Sequence, residues 1–381
     1  MSARNPVKDR VAIAGIGSTG FSRDAGRSAL ALALDAATRA IRDAGLGARD
    51  VDGVIAIAEP GAPSPPTLAS ALGLDTVTHW SRPSPVVLFA ITDAVNAIHA
   101  GNADTVLVVS SLLRRRPSVR PSGAAGSGLP ESIALAPAYA AWASRWLHER
   151  GASAREAWAR IAVNGRSNAA RNPLAALRTP MTFTDYEHAR MIREPLSLLD
   201  MDLPVDGADA FVLVSAERAK ALPHPPVLVH ALAAGMVGES TEDQLASLDR
   251  HGQHVVIEQL REKGDFWIDD VDVYCPYDGF TVIAASWIEN AGWCRPGECA
   301  RFLREHWVED EDRVLIRGRV PVNPHGGALS EGGTRGTGHL REAVVQLRGD
   351  AGVRQVAAAR TALVTPGGFF FNSQGALLRR A

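Results

Sequence analysis

Short apolar runs and helical stripes take turns along most of this chain. "VAIAGIG" (11–17) is a β-branched apolar run closed by glycine, the pattern of a strand buried on both faces. In "SALALALDAATRAIRDAGL" (28–46) alanine and leucine recur at helical spacing up to a glycine stop. "VDGVIAI" (51–57) reads as a strand, "PVVLFAITDAVNAIHAG" (85–101) as a helix and "TVLVVSS" (105–111) as a buried strand. This alternation predicts a largely parallel sheet with helices on its faces.

The rhythm breaks at "LLRRRPSVRPSGAAGSGLPES" (112–132), a basic, proline- and glycine-rich stretch with the composition of an exposed loop. Residues 112–196 read as an inserted arm of helices and loops. The arginine cluster 114–116 reads either as a solvated face or as a grip on phosphates. The alternation returns in "VDGADAFVLVSAERAKAL" (205–222) and the strand "PPVLVHALAAG" (225–235). A long helix is predicted over 242–263, followed by "VDVYCPYDGFTVIAASWIENAG" (271–292). The last segment holds a glycine-rich turn, "VNPHGGALSEGGTRGTGHLREA" (322–343), then the strands "TALVTPGG" (361–368) and "GALLRR" (375–380). The order helix, acidic turn, apolar strand occurs once in each half, and the first strands of the halves correspond. A duplicated α/β unit follows, with halves 1–224 and 225–381 and the arm in the first.

Composition narrows the function classes. A net charge of −2 over 381 residues gives no electrostatic footprint for nucleic acid or an anionic membrane. Gly, Pro or charge interrupts every apolar run before spanning length, and the N-terminus lacks the apolar core of a secretory signal. The three cysteines, Cys275, Cys294 and Cys299, have no zinc-site spacing and read as the free thiols of a cytoplasmic protein. No metal site is expected.

Five local motifs, "VAIAGIG", "AIHAGNADTVLVVSS", "DLPVDGADAFVLVSAERA", "YDGF" and "NPHGGALSEGG", stand in the order and spacing of the thiolase superfamily, and the chain resembles its sterol-carrier or lipid-transfer-protein branch. The resemblance implies a duplicated five-layer α-β-α-β-α fold with a helical loop insertion in the first half, and a homodimer formed through the core sheets. "YDGF" stands where thiolases carry Asn-Glu-Ala-Phe.

The departures from the family carry the information. The nucleophilic cysteine of a thiolase belongs at the start of the helix before "AIHAG", where a helix N-terminus lowers a thiol pKa. Counting back from Gly101, that place falls on Ser84 or Pro85, so Ser84 is either a helix cap or an atypical nucleophile. Gly333 stands in the slot of the motif histidine and Val364 in that of the second cysteine. Acyl transfer through a covalent thioester therefore loses its groups.

An oxyanion scaffold remains: the backbone amides of Gly367 and Gly368 and of the glycine-rich turn around Gly333. Tyr277 is the candidate to take a proton from a β-hydroxyl, or to hold the alkoxide, if its phenol pKa of about 10 is drawn down. His325 and His339 are candidate proton shuttles. His339 opens a helix, whose dipole disfavours its protonated form and leans it towards a base. Asp278 reads as a carboxylate that orients a neighbour.

The resemblance then implies retro-aldol cleavage of a branched β-hydroxyacyl-CoA, of steroid or bile-acid side-chain type, into a ketone or aldehyde and a short acyl-CoA. CoA enters as part of the substrate, with no cofactor bound by this chain, and a small OB-fold zinc-ribbon protein is the expected partner. Two alternatives stay open: a non-catalytic thiolase-like subunit of a heteromer, and an acyltransferase or thiolase with an atypical nucleophile such as Ser84.

Overall fold

The computed structural model describes residues 5–114, 131–238, 247–369 and 372–381. The first half runs β1 (Val11–Ser22), α1 (Ala29–Asp43), β2 (Gly53–Ala56), α2 (Pro65–Leu72), β3 (His79–Ser81), α3 (Val87–His99) and β4 (Thr105–Leu113). An arm follows, with α4 (Glu131–Arg150), α5 (Ala154–Ala170), α6 (Phe183–Glu187) and the small hairpin β5 (Met191–Arg193) and β6 (Leu196–Ser197). β7 (Asp206–Ser215) and α7 (Ala216–Ala219) complete the half. The second half runs β8 (Val227–Gly235), α8 (Gly252–Lys263), β9 (Val273–Pro276), α9 (Thr281–Asn290) and α10 (Cys299–Glu305). A three-stranded ribbon comes next: β10 (Trp307–Val308), β11 (Arg313–Ile316) and β12 (Val320–Pro321). The chain closes with α11 (Gly327–Ser330), α12 (Thr337–Arg348), β13 (Thr361–Thr365) and β14 (Ser373–Arg380).

The main sheet has the order β3-β2-β4-β7-β1-β8-β14-β13-β9. Outward from the seam, β1, β7, β4 and β2 are matched by β8, β14, β13 and β9, so the strand order is repeated, and β3 has no counterpart. The seam is short, pairing Ala12 with Leu228 and Ile13 with Val227. Alternate strand residues face opposite ways. On β4, Val106 and Val108 join the core around α3 and α12, while Leu107 and Val109 join the alanine-rich face of α1. On the other half Val364 faces α12, and Leu363 faces the core of α8 and α9. Each middle helix also reaches the opposite half. Thr337 and Arg341 of α12 bond Asp209 on β7, and the Leu88 N–H of α3 donates to Gln374 Oε1 on β14. The result is five layers, α-β-α-β-α, with α3 and α12 in the middle.

Two expectations need correcting. The sheet is mixed: β2–β3, β2–β4 and β9–β13 are parallel, whereas β1–β7, β4–β7, β1–β8, β8–β14 and β13–β14 are antiparallel. An apolar run identifies a strand buried on both faces, but its direction is set by the connection, and the short link from β13 to β14 leaves no room for a crossover. The long helix predicted over 242–263 begins only at Gly252; residues 242–246 lie outside the described residues. Of the loop expected over 112–132, residues 115–130 also lie outside them. Among the described residues, no helix is long and apolar enough to cross a membrane.

Candidate active site

The strand β9 ends at Pro276 and delivers Tyr277 and Asp278 to the turn before α9. Opposite them stands the glycine-rich turn, folded into α11 and the start of α12. Asp278 is buried, and its Oδ1 accepts the Ala328 N–H at 2.6 Å. Gly327 is what permits this approach: its φ is +64°, and a Cβ there would stand 1.9 Å from Asp278 Oδ2. The turn therefore admits a carboxylate against its backbone.

Asp278 Oδ1 also lies 3.1 Å from His339 Nε2, in the first turn of α12. A carboxylate only accepts, so Nε2 carries the ring proton and Nδ1 keeps its lone pair. His339 Nδ1 is buried with no hydrogen-bond partner. The ring of His325 meets that of His339 edge-on at 4.7 Å between centroids, and Tyr277 lies 5.7 Å from His339 on the same measure. Tyr277, Asp278, His325 and His339, spread over 63 positions of sequence (277 to 339), thus converge in one place.

His325 and Tyr277 depart from ordinary proton affinity in opposite directions. His325 is fully buried, neither ring nitrogen has a partner, and burial holds its pKa well below the usual imidazole value, helped by His339, Arg341 and Arg354. Tyr277 goes the opposite way from the expectation of a lowered pKa. Burial, then the Asp202 carboxylate, push its phenol above its ordinary range against Arg114 and Arg335. A phenol that holds its proton is a hydrogen-bond donor and not a base.

The other expected residues are placed less favourably. Ser84 is exposed and precedes the first residue of α3 by three positions; the N-cap is Val86, without a side-chain bond. The first amides of α3 are met instead by Arg335 O (Val87 N–H, 3.2 Å) and Gln374 Oε1 (Leu88 N–H, 3.1 Å). Ser84 is neither the cap nor at the helix end, and the cap Val86 and first helical residue Val87 have no nucleophilic atom. The Gly333 N–H donates to Leu203 O at 2.8 Å, so it is not a free oxyanion donor. The Gly367 N–H points to Thr365 O at 3.1 Å. The Gly368 N–H makes no backbone hydrogen bond among the described residues.

Several residues escaped the sequence reading. Arg114, from the arginine cluster, is buried: its Nη1 donates to Asp202 Oδ2 at 2.6 Å and to Gly333 O at 2.7 Å. It ties the arm to the glycine-rich turn; Arg115 and Arg116 lie outside the described residues. Glu331 is fully buried between Asn172 Nδ2 (2.7 Å to Oε1) and Arg341, which also grips Asp209. The signal for Glu331 was present, a carboxylate between glycines where solvated turns need none. Breaking such a buried ion pair from one side costs about 3–5 kcal/mol.

Asp202 is shared with a cavity of about 260 Å³. Its walls are largely apolar, with Leu177, Met201, Leu203 and Leu329 among them. Arg23 and Arg190 are exposed at this cavity, and Arg166 is half-buried. A largely apolar cavity with arginines in its lining suits an acyl chain carried by a phosphorylated group.

Comparisons with known proteins agree with one another. A family model described as "Thiolase C-terminal domain-like" matches residues 259–380. The "Steroid side-chain-cleaving aldolase" of Thermomonospora curvata is 33% identical, over 93% of this chain and 94% of its own length. The "17-hydroxy-3-oxo-4-pregnene-20-carboxyl-CoA lyase" of Mycobacterium tuberculosis is also 33% identical, over 95% and 97%. Among solved structures, the "Ltp2-ChsH2(DUF35) aldolase" superposes with a TM-score of 0.87 at 32% identity, covering 98% of both chains.

Proposed function

The chain belongs to the thiolase superfamily, in the branch of the steroid side-chain-cleaving aldolases, and on that footing we propose that it is a carbon–carbon lyase acting on CoA thioesters. The reaction is retro-aldol cleavage of a branched β-hydroxyacyl-CoA, with a steroid-type side chain as the substrate class. The observation that carries this reading is the His339 ring held by Asp278 with Nδ1 unpaired, in a site where Val86 caps α3 and Val87 opens it, so that neither offers the nucleophile a covalent mechanism needs.

His339 Nδ1 takes the β-hydroxyl proton. The oxygen's electron pair forms the new carbonyl, the Cα–Cβ bond breaks, and its pair passes into the enolate of the thioester. A proton delivered to Cα then completes the short acyl-CoA. Tyr277 donates to the oxygen on which charge develops, and the Gly368 N–H is the backbone donor for the enolate. The apolar cavity beside Asp202 receives part of the substrate, and Arg23, Arg166 and Arg190 meet the CoA phosphates. CoA enters with the substrate, and no further cofactor is required. The relative solved as an Ltp2–ChsH2(DUF35) aldolase supports a complex with a partner protein; a small OB-fold zinc-ribbon protein as that partner and a homodimer of this chain complete the proposal.

The test is a product assay on the chain, alone and co-expressed with such a partner, using a branched β-hydroxyacyl-CoA and separately a β-ketoacyl-CoA with free CoA. Cleavage of the hydroxy compound alone is expected. Thiolysis of the keto compound would refute the lyase reading and point to a nucleophile elsewhere.

A further inference from the structure

Beside the His339–Asp278 pair lies a group of buried polar atoms without hydrogen-bond partners: both ring nitrogens of His325, His339 Nδ1 and Glu331 Oε2. A folded protein satisfies nearly all such atoms, so several in one place mark a site with work to do. Three of the side chains follow one another. His339 meets His325 ring to ring at 4.7 Å, and His325 Nε2 faces Glu331 Oε2 at 4.0 Å. At that separation one water, or a small turn of the His325 ring, completes the bond.

We propose that Glu331, reached through His325, stores the proton that His339 removes from the substrate hydroxyl until the enolate carbon takes it back. This inference rests on the lyase reading. Glu331 does not touch the substrate; it is a positioning residue acting through His325.

The chemistry of the reaction calls for such a store. Retro-aldol cleavage is proton-neutral: the O–H bond breaks, the Cα–Cβ bond breaks, and a Cα–H bond forms. A proton left on His339 would favour return to the alkoxide. Passing it along the series leaves Glu331 as a neutral acid and His339 again neutral, and the reverse passage supplies Cα. No electrons leave or enter, and no co-reactant is needed.

The surroundings suit the role. Glu331 is faced by Arg341 and Glu342 from α12, by Asp209 from β7, by Asn172 after α5 and by His325 from the turn. Its carboxylate lies against the first turn of α12, where a Cβ on Gly338 would stand 2.1 Å from Oε2. Burial raises the pKa of Glu331 above the ordinary carboxylate value and holds that of His325 low, so the carboxylate gains proton affinity where the imidazole loses it.

The test is the pH dependence of kcat for the chain with its partner on a branched β-hydroxyacyl-CoA, comparing wild type, Glu331→Gln and His325→Asn. Both His339 and Glu331 must be unprotonated, so the acid side of the wild-type profile should reach a slope of two in log kcat against pH. In E331Q it should fall to one, with kcat down about 10-fold or more and KM within about two-fold. If E331Q does not fold, H325N decides, since it cuts the series while leaving the Glu331–Arg341 and Glu331–Asn172 bonds in place. A variant with wild-type slope and kcat overturns the proposal. An inactive wild type overturns the lyase reading instead.

Discussion

His339 Nε2 lies 3.1 Å from Asp278 Oδ1, and this contact fixes which ring nitrogen is free to act. The carboxylate holds the proton on Nε2 and leaves Nδ1 as the base. An asparagine at 278 keeps its carbonyl oxygen towards the Ala328 N–H and Nε2–H but carries no charge to stabilise the imidazolium that forms when Nδ1 takes a proton. Asp278→Asn is therefore expected to keep the fold and lower kcat by about 10²–10⁴-fold, with KM little changed. Steady-state kinetics on the hydroxyacyl-CoA substrate, with circular dichroism to confirm folding, check this.

Tyr277 is expected to serve as a donor throughout the working pH range. Its phenol is raised above its ordinary value by burial and Asp202, so it does not ionise as pH climbs towards 10. Tyr277→Phe should lower kcat by about 10²-fold, the scale of one lost oxyanion donor. The wild-type profile should show no alkaline fall below pH 10 that disappears in Tyr277→Phe. Such a fall would mean that the phenol ionises within that range, and a rise of kcat over the same range that is lost in Tyr277→Phe would mean that the phenolate is the base.

Glu289, at the end of α9, gives a pH-dependent stability. It is buried, accepts the Gly297 N–H at 2.8 Å, and burial pushes its pKa up to about 7. In the unfolded chain it ionises near pH 4.5. The folded state thus binds the proton more tightly, and the stability this confers is full below pH 4.5 and lost as pH rises through 7. The loss between pH 5 and 8 is about 2–3 kcal/mol. Glu289→Gln should flatten that dependence and be the more stable form at pH 8, as read by denaturant unfolding at both pH values.

Much of the fold was legible because its signals are local. The strands β1, β4, β7, β8 and β13 are apolar runs closed by Gly, Ser or Pro, and the repeat of helix, acidic turn and strand appears in the sequence as it does in the sheet order. Strand direction was not legible, because it belongs to connections and not to runs. Ser84 shows a second limit. Counting back from Gly101 presumed a helix long enough to reach it, but α3 has 13 residues and starts at Val87.

The site was half visible. Tyr277, Asp278, His325 and His339 stood out as chemistry-bearing residues in two motifs, yet nothing in either motif says that Asp278 pairs with His339 and not with Tyr277. Arg114 looked like part of a solvated cluster because burial by residues 202 and 333 is a tertiary fact. The burial of Glu331 is illegible for the same reason: its partners Asn172 and Arg341 come from separate parts of the chain.

The most direct single measurement is kcat of His339→Gln on the branched β-hydroxyacyl-CoA, in the complex with the partner and at neutral pH. Glutamine can keep the bond to Asp278 through its amide N–H₂ but offers no titratable nitrogen. A fall of about 10²-fold or more with KM preserved is expected if Nδ1 removes the hydroxyl proton. Activity within about threefold of wild type would contradict that assignment and move the base to another group.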